Sequence, residues 1–166
     1  AVLLAALYLS LRQLRVGARA AFAAAVLLGF TTPLWIYAKS FMAEPLEGLG
    51  LLLALTGAAR AGAAPAPADA RSGERIAALG AFLAISAKLG VAPLALACLT
   101  AAGFRRRGSL PRGRLVWLVP LAGVTAALAG HALYNLMRFG SALETGYGAQ
   151  ASSSAFTTPL WVGVYG

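Results

Sequence analysis

Long apolar runs separated by short clusters of arginine set the pattern of this chain. Residues 20–38 run apolar from Arg19 to Lys39, and 46–59 form a second run that Pro45 is suited to open as a helix first turn. Residues 61–75 mix Ala, Pro and Gly with charge, the pattern of a flexible loop. Residues 76–104 turn apolar again, interrupted by Lys88, Gly90 and Pro93, and 115–137 is the last full run. Ser152, Ser153 and Ser154 mark a further loop before 156–166 returns to apolar residues. The runs predict helices over 1–15, 20–38, 45–60, 76–87, 91–104 and 115–137, with an outer loop over 138–156. A bilayer span needs about 20 apolar residues. The expected fold class is therefore all-α, a polytopic transmembrane helical bundle in a single domain.

Composition supports a bilayer setting. The chain is 60% hydrophobic and 11% charged, whereas soluble domains carry about 25% charged residues. Half that share leaves too little polar surface to cover a globule in water, and a bilayer removes the need for it. The chain begins within an apolar run and lacks the basic lead and cleavage site of a signal peptide. It is expected to be an internal piece of a longer protein. Cys98, the single cysteine, lies in an apolar run with no metal-ligand spacing and reads as a packing residue.

The net charge of +9 changes the picture through its placement. The arginines cluster between apolar runs, at 12, 15 and 19, at 60, 71 and 75, and at 105, 106, 107, 112 and 114. That is the positive-inside pattern of a multi-pass membrane protein; the abundance of Ala, Gly and Arg points to a GC-rich bacterial source, and so to the bacterial inner or plasma membrane. Nucleic acid is not an expected partner, because so apolar a chain offers little solvated surface.

Charge also bears on the run 76–104. As one long helix, it puts the arginines of 60–75 and of 105–114 on opposite sides. As a hairpin turning near Lys88–Gly90, it puts both on the cytoplasmic side and leaves only Lys39, Lys88 and Arg138 outside. A charge at a bilayer centre costs about 2.5–3.5 kcal/mol on insertion scales, which a lysine at a turn avoids. The hairpin is favoured, with arms of about 12–14 residues or roughly 18–21 Å.

Candidate chemistry gathers on the outer side. Lys39, Ser40 and Glu44 lie within one short re-entry, and Glu44 falls at a helix N-terminus where the dipole favours a carboxylate. The plain alternative is that Lys39 and Glu44 are interfacial caps and Lys88 a snorkelling lysine. The sharper one has Lys39 and Lys88 hold an anionic headgroup, with Glu44 orienting a substrate or a divalent cation. Arg138 is suited to bidentate phosphate contact. Tyr147 either stacks on a sugar or sits in an interfacial belt with Trp35, Trp117 and Trp161. His131 reads as a packing residue. The recurrence of Phe30-Thr-Thr-Pro-Leu-Trp35 at 156–161 has no longer self-similarity around it and reads as shared membrane-helix vocabulary.

Three segments carry a resemblance. Lys39-Ser-Phe-Met-Ala-Glu-Pro-Leu46 is similar to the second outer juxtamembrane segment of GT-C superfamily membrane glycosyltransferases. These depend on polyprenyl-phosphate sugars and include the glycosyltransferase 39, protein O-mannosyltransferase-like and aminoarabinose transferase-like proteins. Leu83-Ala-Ile-Ser-Ala-Lys-Leu-Gly-Val-Ala-Pro-Leu94 resembles their short helix pair with a lysine at the outer turn. Tyr134-Asn-Leu-Met-Arg-Phe-Gly-Ser-Ala-Leu-Glu-Thr-Gly-Tyr147 resembles a segment where a helix emerges and a substrate-facing loop begins.

The resemblance implies transfer of a sugar, with inversion, from a polyprenyl-phosphate donor to an acceptor glycan, lipid or protein on the outer side, within the cell envelope. It puts the catalytic carboxylate in a first outer loop that this chain does not contain, so no catalytic residue is named. It assigns donor or substrate binding to Lys39, Glu44, Lys88, Arg138 and Tyr147; Lys39 departs from a position where the family also uses Arg. A multi-pass transporter or permease, or a non-catalytic lipid-linked glycan assembly protein, is the alternative. Broken helices with midplane charges mark transporters, and the ionisable residues here fall at helix ends and turns.

Overall fold

The computed structural model describes residues 1–32, 43–64, 67–106 and 118–144. Every regular element among them is helical: α1 (Val2–Gln13), α2 (Ala18–Thr31), α3 (Glu44–Ala63), α4 (Pro67–Ala87), a 3-10 turn (Leu89–Val91), α5 (Ala92–Arg106) and α6 (Leu118–Phe139). The chain divides into two compact units, Ala1–Leu128 and Ala129–Gly166.

The first unit is organised by the α3–α4 pair. Small residues recur at Gly50, Ala54, Gly57 and Ala61 on α3, and at Gly73, Ala77, Gly80 and Ala84 on α4, and all are buried. The spacing is four, three, four on both helices, so each set lines one stripe. The stripes run antiparallel and mesh in a single register, Gly50 against Ala84, Gly80 against Ala54, Gly57 against Ala77 and Gly73 against Ala61. At each glycine an added Cβ runs into the facing backbone; at Gly73 it falls 2.5 Å from the Ala61 nitrogen. Such closeness lets α-hydrogens face carbonyl oxygens, Gly73 toward that of Gly57 and Gly80 toward that of Gly50, contacts of about 0.5–1 kcal/mol each.

The remaining helices of this unit pack on that pair. Ala58, Ala77, Ala81 and Ile85 form a core with Ala95 and Leu99 of α5 and with Val124 and Ala127 of α6. Gly123 of α6 lies against the backbone of Ala78. The α1–α2 hairpin flanks α3 through Leu3, which meets Gly48, while Leu4 fills the notch at Gly29. α1 ends in a Schellman arrangement, with Val16 N–H donating to Leu11 C=O (3.0 Å) and Arg15 N–H to Arg12 C=O (3.1 Å). Arg15 takes the left-handed position at φ 63°, where glycine is usual.

The interior is made of small side chains and the exterior of large ones. Eleven of the fourteen buried apolar residues are alanine, whereas twenty-four large apolar residues are exposed, all counted among the described residues. Helices held together this way gain little from burying bulk. They associate by close backbone contact, as helices do where lipid leaves no apolar driving force between them.

Several expectations change. The flexible loop over 61–75 is not found: α3 continues to Ala63 and α4 starts at Pro67. Ala61 and Gly73 belong to the meshed stripe, and packing holds them helical despite the Ala-Pro-Gly composition. The break at Lys88 is present, but the arm before it has 21 residues, not a dozen. The last helix runs to Phe139, where Gly140 at φ 74° takes the C′ position. The helix expected over 20–38 is described only to Thr31 and the one over 115–137 only from Leu118.

Among the described residues no helix is long and apolar enough to cross a membrane. α3, at 20 residues, and α4 and α6 are about 30 Å or longer. Polar residues dilute them: Glu44, Glu47 and Arg60 on α3, Asp69, Arg71, Glu74 and Arg75 on α4, and His131, Asn135 and Arg138 on α6.

Two outcomes test the packing. Gly57→Val destabilises the protein by about 3 kcal/mol through overpacking against α4 backbone, whereas Gly130→Ala, where an added Cβ meets nothing within 4 Å, stabilises by up to about 1 kcal/mol; denaturant unfolding of both reads the contrast. Arg15→Gly raises stability by up to about 1 kcal/mol by relieving the left-handed arginine, and an unchanged unfolding midpoint counts against the Schellman turn.

Candidate functional site

The meshed register brings Lys88 to Glu47. Counting outward from the Gly50–Ala84 contact, three residues lead to Glu47 on α3 and to the end of α4 at Ala87. Lys88 leaves the helix there, with extended backbone at φ −156° and ψ 110°. Its N–H still donates to Ala84 C=O (3.0 Å), and its C=O accepts from Val91 N–H (3.1 Å) in the 3-10 turn. This stop sends the ammonium back over the first turn of α3, 3.9 Å from Glu47 Oε2.

Glu44 and Glu47 both occupy that first turn, with Ala43 as the cap residue and Pro45 between them. Ala43 C=O accepts from Leu46 and Glu47 N–H at 3.0 and 2.8 Å. The carboxylates complement the positive helix end, a stabilisation of about 0.3–1 kcal/mol each. One oxygen of each, Oε2, is shut off from solvent and meets no hydrogen-bond donor. The Lys88 ammonium stands outside hydrogen-bond range of Glu47. The Lys88 side chain is 58% exposed, against 19% for Glu47. The pair is thus a lysine with most of its donors open beside the half-buried Glu47 carboxylate, with Glu44 on the same first turn of α3. That geometry suits an anion on the lysine and a cation or hydroxyl donor on the carboxylates.

This end of the first unit is distinct from the other in charge. The open ends of the α1–α2 hairpin, the start of α3, the end of α4 and the start of α5 meet here. Arg12, Arg15, Arg19, Arg60, Arg71 and Arg75, and the α5 terminus at Arg106, belong to the far end.

Arg138 lies in the second unit. It donates from Nη1 to the Tyr134 hydroxyl, and its guanidinium carbon stands 5.7 Å from the Tyr134 ring centroid and 5.3 Å from that of Phe139. Those contacts fix an exposed guanidinium at the helix end. Asn135, buried, donates from Nδ2 to Ala142 C=O (3.4 Å) and ties the following turn to the helix. Lys39 and Tyr147, with Trp35, Trp117 and Trp161, lie outside the described residues. No group of three His, Cys, Asp or Glu side chains fit to hold a metal ion occurs among the described residues.

Of the sequence candidates, Lys88 and Glu44 fall at the same end of the first unit. Glu47 is the residue missed as a site member. The signal that finds it is the mirrored four-three-four spacing of small residues, which fixes the register and hence the partner of Lys88.

No family model matches this chain, and neither a curated protein nor a solved structure similar to it is found.

The exposure of Lys88 makes its ion pair with Glu47 a weak structural element. Lys88→Ala is expected to shift unfolding by less than about 1 kcal/mol, while Glu47→Leu relieves the solvent-excluded oxygen and leaves the fold intact by circular dichroism. A loss of the folded state in Lys88→Ala contradicts this account.

Proposed function

We propose that this chain belongs to a membrane-embedded GT-C type glycosyltransferase, and that its Glu44–Glu47–Lys88 end faces the outer side, where Lys88 receives the phosphate of a polyprenyl-phosphate sugar. The membrane part is supported by the inverted packing, with alanine and glycine inside and leucine, valine and phenylalanine outside. It is supported also by the arginines gathered at the opposite end. The observation that carries the functional part is the exposed Lys88 ammonium at a helix break beside the first turn of α3.

In this mechanism the acceptor hydroxyl attacks the anomeric carbon as the bond to the lipid phosphate breaks. A cation beside the leaving phosphate stabilises the charge that develops there. Lys88 fills that role, and Glu47 keeps it oriented without neutralising it fully, given the 3.9 Å separation. Glu44 is a positioning residue for substrate or for a divalent cation at the phosphate. The carboxylate that takes the acceptor proton is assigned to no residue of this chain.

A proton- or ion-coupled transporter is the second reading. Buried Glu74 in α4 favours it, since carboxylates within helical bundles serve as proton relays. Its level near Arg60, with Arg71 and Arg75 on its own helix, counts for an ion-pairing role instead.

Two experiments decide. A Lys88→Cys, Cys98→Ala protein in intact cells is labelled by a membrane-impermeant thiol reagent, while Arg106→Cys, Cys98→Ala is not; labelling of the second alone reverses the orientation and removes the reading. In the purified protein, Lys88→Ala weakens polyprenyl-phosphate binding about tenfold or more and Lys88→Arg restores most of it. Equal affinity of all three eliminates Lys88 as the phosphate ligand.

A further inference from the structure

The six arginines at the far end of the first unit lie at one level. Leu3 meets Gly48, so nine residues along α1 and α3 put Arg12 level with Gly57, and Arg15 follows in the turn that closes α1. Leu4 meets Gly29 across the α1–α2 hairpin, which sets Arg19 level with Leu14. The α3–α4 register puts Arg75 opposite Ala59 and Arg71 opposite Ala63. All six arginines are exposed. They occupy a band about 9 Å deep at 1.5 Å per residue, from the level of Gly57 to that of Ala63. The acids near it are Asp69 and the buried Glu74. Arg12 donates one Nη1 hydrogen bond to Val16 C=O (2.8 Å), which holds that guanidinium at the turn with its other donors open.

The same counting finds a second band just inside the first. Leu9, Phe22 and Leu79 each fall within about one residue of the level of Leu55, and all four are exposed. A belt of leucine and phenylalanine directly beneath a ring of guanidinium groups is the order met at a bilayer boundary, acyl chain below and phosphate above.

We infer that this arginine band, with its apolar belt, is a binding surface for anionic phospholipid headgroups, an inference resting on the membrane reading above. Guanidinium groups meet phosphate through paired hydrogen bonds, and each basic residue near an anionic bilayer strengthens binding about fivefold. Duplex nucleic acid also suits a basic ring but gives the leucine and phenylalanine belt no partner.

The test compares purified protein reconstituted into phosphatidylcholine vesicles with and without phosphatidylglycerol. The expected result is a Tm several degrees higher with phosphatidylglycerol, an increment that shrinks as salt rises. The increment is lost in the Arg12→Gln, Arg15→Gln, Arg19→Gln variant and kept in the triple Arg→Lys variant. If the Gln variant does not fold, the wild-type salt dependence decides, and an increment indifferent to salt overturns the inference. Protein that incorporates into both vesicles with the same Tm overturns the lipid site and leaves the membrane reading standing. Protein that incorporates into neither overturns both. Salt-sensitive binding of a duplex DNA oligonucleotide by detergent-solubilised protein, at the affinity seen for phosphatidylglycerol, assigns the band to nucleic acid and also overturns the lipid site.

Discussion

The backbone contact between α3 and α4 is the constraint on which the first unit depends. Eight small residues in two mirrored stripes let the helices meet closer than side chains normally allow. The gain comes from dispersion and from α-hydrogens facing carbonyl oxygens, both of which fall steeply with distance. A methyl group added at any of the four glycines therefore opens the whole pair. The pair in turn supplies the surface on which α5 and the first half of α6 pack, with Ile85 and Leu99 the largest side chains wholly enclosed.

Filling the interior with alanine displaces the bulky residues to the outside. In water, a surface carrying this many exposed leucines, valines and phenylalanines drives association. In lipid it is the expected exterior, because no hydrophobic gain separates inside from outside and helices are chosen for close fit. Among the described residues no individual helix is long and apolar enough to be a self-sufficient span. In the first unit the arginines of α1–α4 and the Glu44, Glu47 and Lys88 group stand at opposite ends.

The position of Lys88 follows from the same register. The Gly50–Ala84 contact fixes where α4 ends relative to α3, so the helix break delivers the lysine to the turn that carries Glu44 and Glu47. A shift of one helical turn in the stripe would separate the ammonium from the carboxylates by about 5.4 Å. The candidate site is thus a consequence of the packing seam, with its charges set at the end of a rigid pair of helices.

The sequence by itself determined the helical class, the break at Lys88 and the grouping of arginines, because apolar run length, helix interruption and charge placement are local properties. It also put Glu44 at a helix start, since Pro45 and the dipole act within one turn. It did not reveal that 61–75 is largely helical. Ala, Gly and Pro there signal a loop when weighed alone, and only the fit of Ala61 against Gly73 makes them good helix residues. The tertiary structure decided the partner of Lys88 and the gathering of arginines from α1 to α4, and from the turn after α1, at one end of the first unit. Both depend on the register between helices, which is set by where two small-residue stripes mesh and is visible only when the helices are laid side by side.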